Sequence, residues 1–173
     1  MTIFIAGVHG VGKTYLAKQA TLRLGLKYAT ASQLIREERG HTSWNSSKQV
    51  DEVAANQAAL VAAVTRIKAD KQALVLDGHL VLRKDVGQHL RLPDSVFHDL
   101  GCTSIILLAC PTPVVLERLV ARGDNSWDEA EMASFARAEA EHAAFVASSL
   151  RIRLIELKSP SIDEFDEALK QVL

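Results

Sequence analysis

No long apolar run, no excess of either charge and no cluster of cysteines occurs in this 173-residue sequence, and each absence removes a class of function. Apolar residues make up 48% of the chain, yet no stretch approaches the roughly 20 needed to span a bilayer. The start Met1-Thr2-Ile3 enters an apolar segment without the basic flank of a secretory leader. The expectation is a cytoplasmic chain with no membrane partner. With 20 basic and 21 acidic residues the formal net charge is −1, so there is no electrostatic footprint for nucleic acid. Expected partners are small molecules or another protein. The two cysteines, Cys102 and Cys110, bracket an apolar strand-like segment. Eight extended residues at about 3.3 Å each separate them by roughly 26 Å, beyond the reach of a disulfide, and both read as core residues. No Cys/His set has zinc spacing, so the only metal expected is Mg²⁺ carried by a nucleotide. Length, with no repeat, low-complexity tract or linker, fits one domain over residues 1–173.

Against these absences stands one dense motif, Gly7-Val8-His9-Gly10-Val11-Gly12-Lys13-Thr14. Gly, four variable residues and Gly-Lys-Thr form the phosphate-binding P-loop. The glycines let the backbone turn inward so that successive N–H groups point at a phosphate. Gly7, Gly10, Val11, Gly12, Lys13 and Thr14 are therefore the expected nucleotide-binding residues. Lys13 would reach the β and γ oxygens, and the Thr14 hydroxyl would ligate Mg²⁺. The flanks agree: Thr2 to Ala6 reads as a buried strand, and Leu16, Ala17, Ala20 and Leu24 recur at helical spacing before Gly25 stops the helix. His9, at a variable position of the loop, reads as a tolerated surface side chain.

Beyond the loop, strands alternate with helices, the pattern of a parallel sheet covered on both faces. Strands are expected at 26–29, 73–76, 105–108 and 152–157. Helices are expected from Gln33 capped by Ser32, from Gln49 after a Ser46/Gln49 capping box, and from Pro113 after Thr112. Two more are expected after Ser126/Glu129 and Ser161/Glu164 capping boxes. Asp77 ends the third strand, where an acidic residue can hold Mg²⁺ opposite the P-loop threonine. His79, two residues on, faces the same crevice and is a candidate substrate contact. Arg118 and Arg122, at i and i+4 before the polar turn Gly123-Asp124-Asn125-Ser126-Trp127, fit a short lid whose guanidinium groups offset charge on a transferring phosphoryl.

These residues make the chain resemble the P-loop nucleoside/nucleotide kinases, in particular the adenylate kinase-like group, over nearly its whole length. Four places carry the resemblance: Gly7 to Thr14, the segment Ser32-Gln33-Leu34-Ile35-Arg36, Leu76-Asp77-Gly78, and Arg118 with Arg122. It implies a three-layer α/β P-loop NTPase fold, with a five-stranded parallel sheet of order 2-3-1-4-5 and helices on both faces. It also implies an acceptor-binding arm at about 32–67 and a lid at about 118–127. Lys13, Asp77, Arg118 and Arg122 become catalytic candidates, Arg36, Ser32 and His79 substrate contacts, and ATP with Mg²⁺ the cofactors. The chain departs from the group after Asp77-Gly78. His79-Leu80-Val81-Leu82-Arg83 replaces an aromatic, a proline and a phosphate-holding arginine, so that role does not pass to Arg83. Neither a long nor a zinc-binding lid insertion is present.

The chemistry of the acceptor separates two kinds of kinase. A hydroxyl needs a base or an orienting carboxylate, whereas a nucleoside monophosphate is already an anion and needs positioning and charge neutralisation. After the second strand, where related small-metabolite kinases place an Asp, this chain has Thr30-Ala31-Ser32-Gln33, which favours the phosphate acceptor. A kinase of a small hydroxyl metabolite stays open because Asp77 could act as base. So does a nucleotide-dependent regulatory ATPase acting on a protein partner, with Trp44 and Trp127 in the two segments expected to move.

Overall fold

The computed structural model describes residues 1–40, 49–69 and 72–173; Trp44 and the expected cap Ser46 lie outside them. Its elements are β1 (Thr2–Ala6), α1 (Lys13–Leu24), β2 (Lys27–Thr30), α2 (Ala31–Arg39), α3 (Gln49–Lys68), β3 (Leu74–Asp77), β4 (Val81–Asp85), β5 (Gln88–Arg91), α4 (Asp94–Asp99), β6 (Cys102–Ala109), α5 (Thr112–Val120), α6 (Glu129–Leu150), β7 (Arg153–Lys158) and α7 (Ile162–Lys170). The apolar runs that read as central strands become one parallel sheet of order β2-β3-β1-β6-β7. All five residues of β1 are buried, because a parallel sheet covered by helices leaves its middle strand no wet face.

Counting only the parallel strands recovers the expected order 2-3-1-4-5. The difference is an antiparallel hairpin, β4 and β5, between the third and fourth of them. It turns at Val86-Gly87, where Gly87 has φ +70°, a value that suits a residue without Cβ. The short helix α4 follows and places Phe97 edge-on against Phe4, ring centroids 5.2 Å apart. Neither element was expected. The hairpin mixes apolar and charged residues over strands of five and four, and α4 has six residues, too few for a helical period.

Helix starts follow local chemistry. Thr30 rather than Ser32 caps α2, its hydroxyl accepting from the Gln33 N–H at 3.1 Å. Asp128 rather than Ser126 caps α6, its carboxylate accepting from the Glu131 N–H at 2.7 Å. The Ser161/Glu164 capping box opens α7 as expected. Thr112 is the first residue of α5, and Pro111 takes the cap position without a side-chain bond. Helices α1 and α7 are tied by Arg23 and Asp166, which form two hydrogen bonds of 2.7 Å. Cys102 is buried in β6 and its thiol is pushed up to about 12 by desolvation, whereas Cys110 is only half-buried.

The register fixes the site. Ile5 of β1 lies beside Asp77 of β3, so the P-loop and the acidic strand end leave the same edge of the sheet, where ligands of open α/β folds bind. Among the described residues no helix is long and apolar enough to cross a membrane. The caps give a direct check: Asp128→Ala should lower stability by about 1 kcal/mol through loss of the α6 N-cap. Urea unfolding would read this, and an unchanged midpoint would contradict the assigned cap.

Candidate functional site

The phosphate loop closes under severe constraint. Gly7 has φ +135°, and a Cβ there would lie 2.5 Å from the Leu108 carbonyl oxygen, so the loop passes against the end of β6 only because the side chain is absent. Gly12, at φ +111°, stands at the N-cap of α1 with no side-chain cap. The unpaired N–H groups of that helix start face the loop's interior, an arrangement suited to an anion.

Lys13 is buried. Its ammonium donates to the carbonyls of Gly7 at 2.6 Å and Val8 at 3.1 Å. Burial holds its pKa below the usual lysine value, opposed by the charges of Asp77 and Glu139. Thr14 Oγ1 donates to Asp77 Oδ2 at 2.7 Å, and the Tyr28 hydroxyl donates to the same oxygen at 3.2 Å. A hydroxyl and a carboxylate in contact at the mouth of a phosphate loop are the donor set of a hard, oxygen-binding cation. The cradle that a Cβ would fill and this pair both fit a magnesium-bound nucleotide.

One cavity of about 750 Å³ joins these groups to the arm, within the range that holds small ligands. Lys13, Thr14, Asp77, His79, Ser32 and Arg122 all line it. His9 is exposed as expected, but it lines the cavity too and packs against His79 with ring centroids 4.1 Å apart and planes tilted by 39°. Burial, then the Lys13 charge, holds the His79 imidazole well below its ordinary pKa. The arm side is apolar, with Ile35, Val53, Leu60, Val96 and Phe97, interrupted by Glu52, Asn56 and Gln57.

Two expected residues stand elsewhere. Arg36 is exposed on α2 and does not line the cavity. Ser32 and Ile35 do, and Arg36 lies about 100° around the helix from Ile35. Arg118 leans on the outside of the loop, donating to the carbonyls of Gly10 at 3.3 Å and Val11 at 3.2 Å. Helix α5 ends at Val120, so Arg122 sits in the turn beyond it rather than on the same helical face.

Sequence reasoning passed over Arg83 and Glu139. Arg83 lines the cavity and ties the hairpin to the lid. Its guanidinium donates twice to the Glu131 carboxylate at 2.7 Å and to the Ser126 carbonyl at 2.7 Å, and it lies 4.0 Å from the centroid of Trp127. Glu139 is wholly buried in α6 and accepts backbone N–H bonds from Gly7, Leu80 and Val81. Desolvation pushes its pKa up to about 7, against the pull of Lys13 and of those N–H groups. A signal existed: Met132, Phe135, Glu139, His142 and Val146 are spaced 3, 4, 3 and 4 along α6, and all are buried. A Glu and a His in an apolar stripe mark polar work inside the fold.

Residues 6–135 match the model of a family described as AAA domain, and the chain belongs to that family. A protein of Methanocaldococcus jannaschii named "Putative adenylate kinase" is 28% identical over 123 residues, 71% of this chain and 59% of that one. The chain thus spans less than two thirds of that curated relative. Shikimate kinase from Acinetobacter baumannii, solved with shikimate, superposes with a TM-score of 0.64 at 16% identity, covering 98% of this chain and 90% of that one. Shikimate kinase from Aquifex aeolicus gives 0.60 at 11% identity over 99% and 94%. At such identities the structures establish the shared α/β fold.

Two glycines test the loop. Gly25 has φ +66° with nothing within 4 Å of a built Cβ, so Gly25→Ala should cost only the left-handed penalty of about 1 kcal/mol. Gly7→Ala adds a backbone collision and should cost at least about 2 kcal/mol. Equal shifts in thermal unfolding of the two variants would contradict the close approach at Leu108.

Proposed function

We propose that this member of the family transfers the γ-phosphoryl group of Mg-ATP to a small phosphate-bearing acceptor, a nucleoside monophosphate. The observation that carries the reading is the Thr14–Asp77 contact beside buried Lys13, opening into a cavity that runs on between α2, α3 and α4. The N–H groups at the start of α1 and the Lys13 ammonium would hold the β- and γ-phosphates, and Thr14 and Asp77 would hold Mg²⁺. The metal would supply charge neutralisation at those phosphates. An acceptor phosphate oxygen forms the new bond to the γ-phosphorus while the β–γ bridging bond breaks, leaving the electron pair on ADP. Arg122 from the cavity wall and Arg118 from the loop's outer side would offset the negative charge spread over the transferring group. His79, kept neutral, adds no positive charge to the crevice.

Two features favour a phosphate acceptor. Thr30, Ala31 and Ser32 supply no carboxylate after β2, and Asp77 is already engaged by Thr14 and Tyr28. The apolar arm with its amides suits the flat face and polar edge of a nucleobase. A hydroxyl acceptor draws support from Glu52, a carboxylate on the arm wall. Measuring ADP formed from Mg-ATP with each nucleoside monophosphate, with hydroxyl metabolites and with no acceptor separates the readings. Turnover dependent on a monophosphate is expected. Turnover with a hydroxyl compound would move the orienting role to Glu52, and slow acceptor-independent hydrolysis would favour a regulatory ATPase.

In the same assay Lys13→Met, which keeps the buried stem, should fold and lose phosphoryl transfer. Arg122→Ala should lower kcat by at least ~100-fold, the range for a lost electrostatic donor, and a few-fold loss would return it to an ordinary surface arginine. Arg36 is exposed and does not line the cavity. Arg36→Ala should leave the acceptor KM within about two-fold, because an exposed side chain outside the cavity removes no charge-assisted hydrogen bond to a ligand. A tenfold rise would show that α2 turns to bring it inward.

A further inference from the structure

We infer that Glu139 is a positioning residue for the phosphate loop, joining the nucleotide half of the cavity to its acceptor-side wall; the inference rests on nucleotide binding at Gly7 to Thr14. Its carboxylate, at zero exposure, reaches two separate segments. Oε1 accepts from the Gly7 N–H at 3.3 Å, and the two oxygens accept from the Leu80 N–H at 3.2 and 3.0 Å. Oε2 accepts from the Val81 N–H at 2.7 Å. Gly7 is the first residue of the loop, and Val81 begins the hairpin whose Val81, Leu82 and Arg83 line the cavity.

A neutral amide of equal size would present an N–H₂ group toward backbone N–H donors, so only a carboxylate, acceptor at both oxygens, satisfies the set. Glu139 is coupled electrostatically to the Lys13 ammonium, which is also buried. Lys13 bonds the Gly7 carbonyl and Glu139 the Gly7 N–H, so one residue of the loop is held through both of its main-chain groups. His79 stands against the carboxylate, its Nδ1 3.4 Å from Oε1 without a hydrogen bond. Glu139 therefore touches no reacting atom and acts through the backbone of Gly7.

His142 supplies an internal control. It lies three residues on in the same stripe, equally hidden, and its Nε2 donates to the Leu92 carbonyl at 2.6 Å, away from the loop. Both Glu139→Gln and His142→Leu remove one buried polar partner from α6 and should lower the unfolding midpoint. Only Glu139→Gln should also weaken the loop's hold on nucleotide, raising the Kd for Mg-ATP at least ~10-fold, the scale of a lost charge-assisted bond. Equilibrium binding of Mg-ATP to the folded variants, without any acceptor, reads this apart from turnover. Where Glu139→Gln does not fold, Glu139→Asp keeps the charge but withdraws it from Gly7 and should show the same selective loss. Equal Kd values for wild type, His142→Leu and the Glu139 variant would overturn the positioning role alone. A wild-type chain that does not bind Mg-ATP would overturn the nucleotide reading and this inference with it.

Discussion

The arrangement depends on a pair of buried opposite charges held apart by one backbone residue. Lys13 and Glu139 are both hidden from water, and hiding an ion without polar partners in a low-dielectric interior costs several kcal/mol. Each is instead satisfied by main-chain groups: carbonyls of Gly7 and Val8 for the ammonium, N–H groups of Gly7, Leu80 and Val81 for the carboxylate. The attraction between them survives because those groups complete their shells. The loop's shape follows, since the two charges fix where Gly7 sits and the Leu108 carbonyl forbids it a side chain.

What sequence could show was whatever is written in local periodicity or in a motif of fixed spacing. The P-loop, its strand and helix and Asp77 rest on apolar runs and punctuation within a dozen residues, whereas the order of the parallel strands came from the family resemblance. The Ser161/Glu164 box belongs to the same class, because both partners are three residues apart. The Ser126/Glu129 pair had the same spacing and failed. Ser126 is drawn into contacts with Asp124 and with Arg83, 43 positions away, and the nearer acid Asp128 takes the cap. Long-range contacts of this kind leave no periodic trace. Arg36 stands exposed and off the cavity wall, because a residue named by resemblance to a segment carries no information on which side of the helix lines the cavity.

The hairpin β4–β5 explains a departure that the sequence displayed without interpreting. After Asp77-Gly78 the chain enters a strand instead of the usual arginine-bearing turn, and the displaced Arg83 comes back to the cavity from the hairpin. There it is held by Glu131 on α6, by Ser126 and by the ring of Trp127. Trp127 itself packs on Phe135 with centroids 5.2 Å apart. The segment expected to be a lid is thus anchored along its far end to both hairpin and helix, and residues 121–124 are held to α5 by backbone hydrogen bonds.

That anchoring bears on the acceptor. A cation already saturated by a carboxylate and stacked on an indole offers little to an incoming phosphate, because binding would first have to break a bidentate pair. Arg83 therefore acts as a strut between hairpin and lid more than as a clamp on a second anion, even though it lines the cavity. Arg122, by contrast, is exposed in its turn and lines the same space. On the phosphoryl-transfer reading proposed above, the apolar walls between α2, α3 and α4 would select an acceptor by its shape and hydrogen-bonding edge, and phosphate alone would not be a sufficient mark.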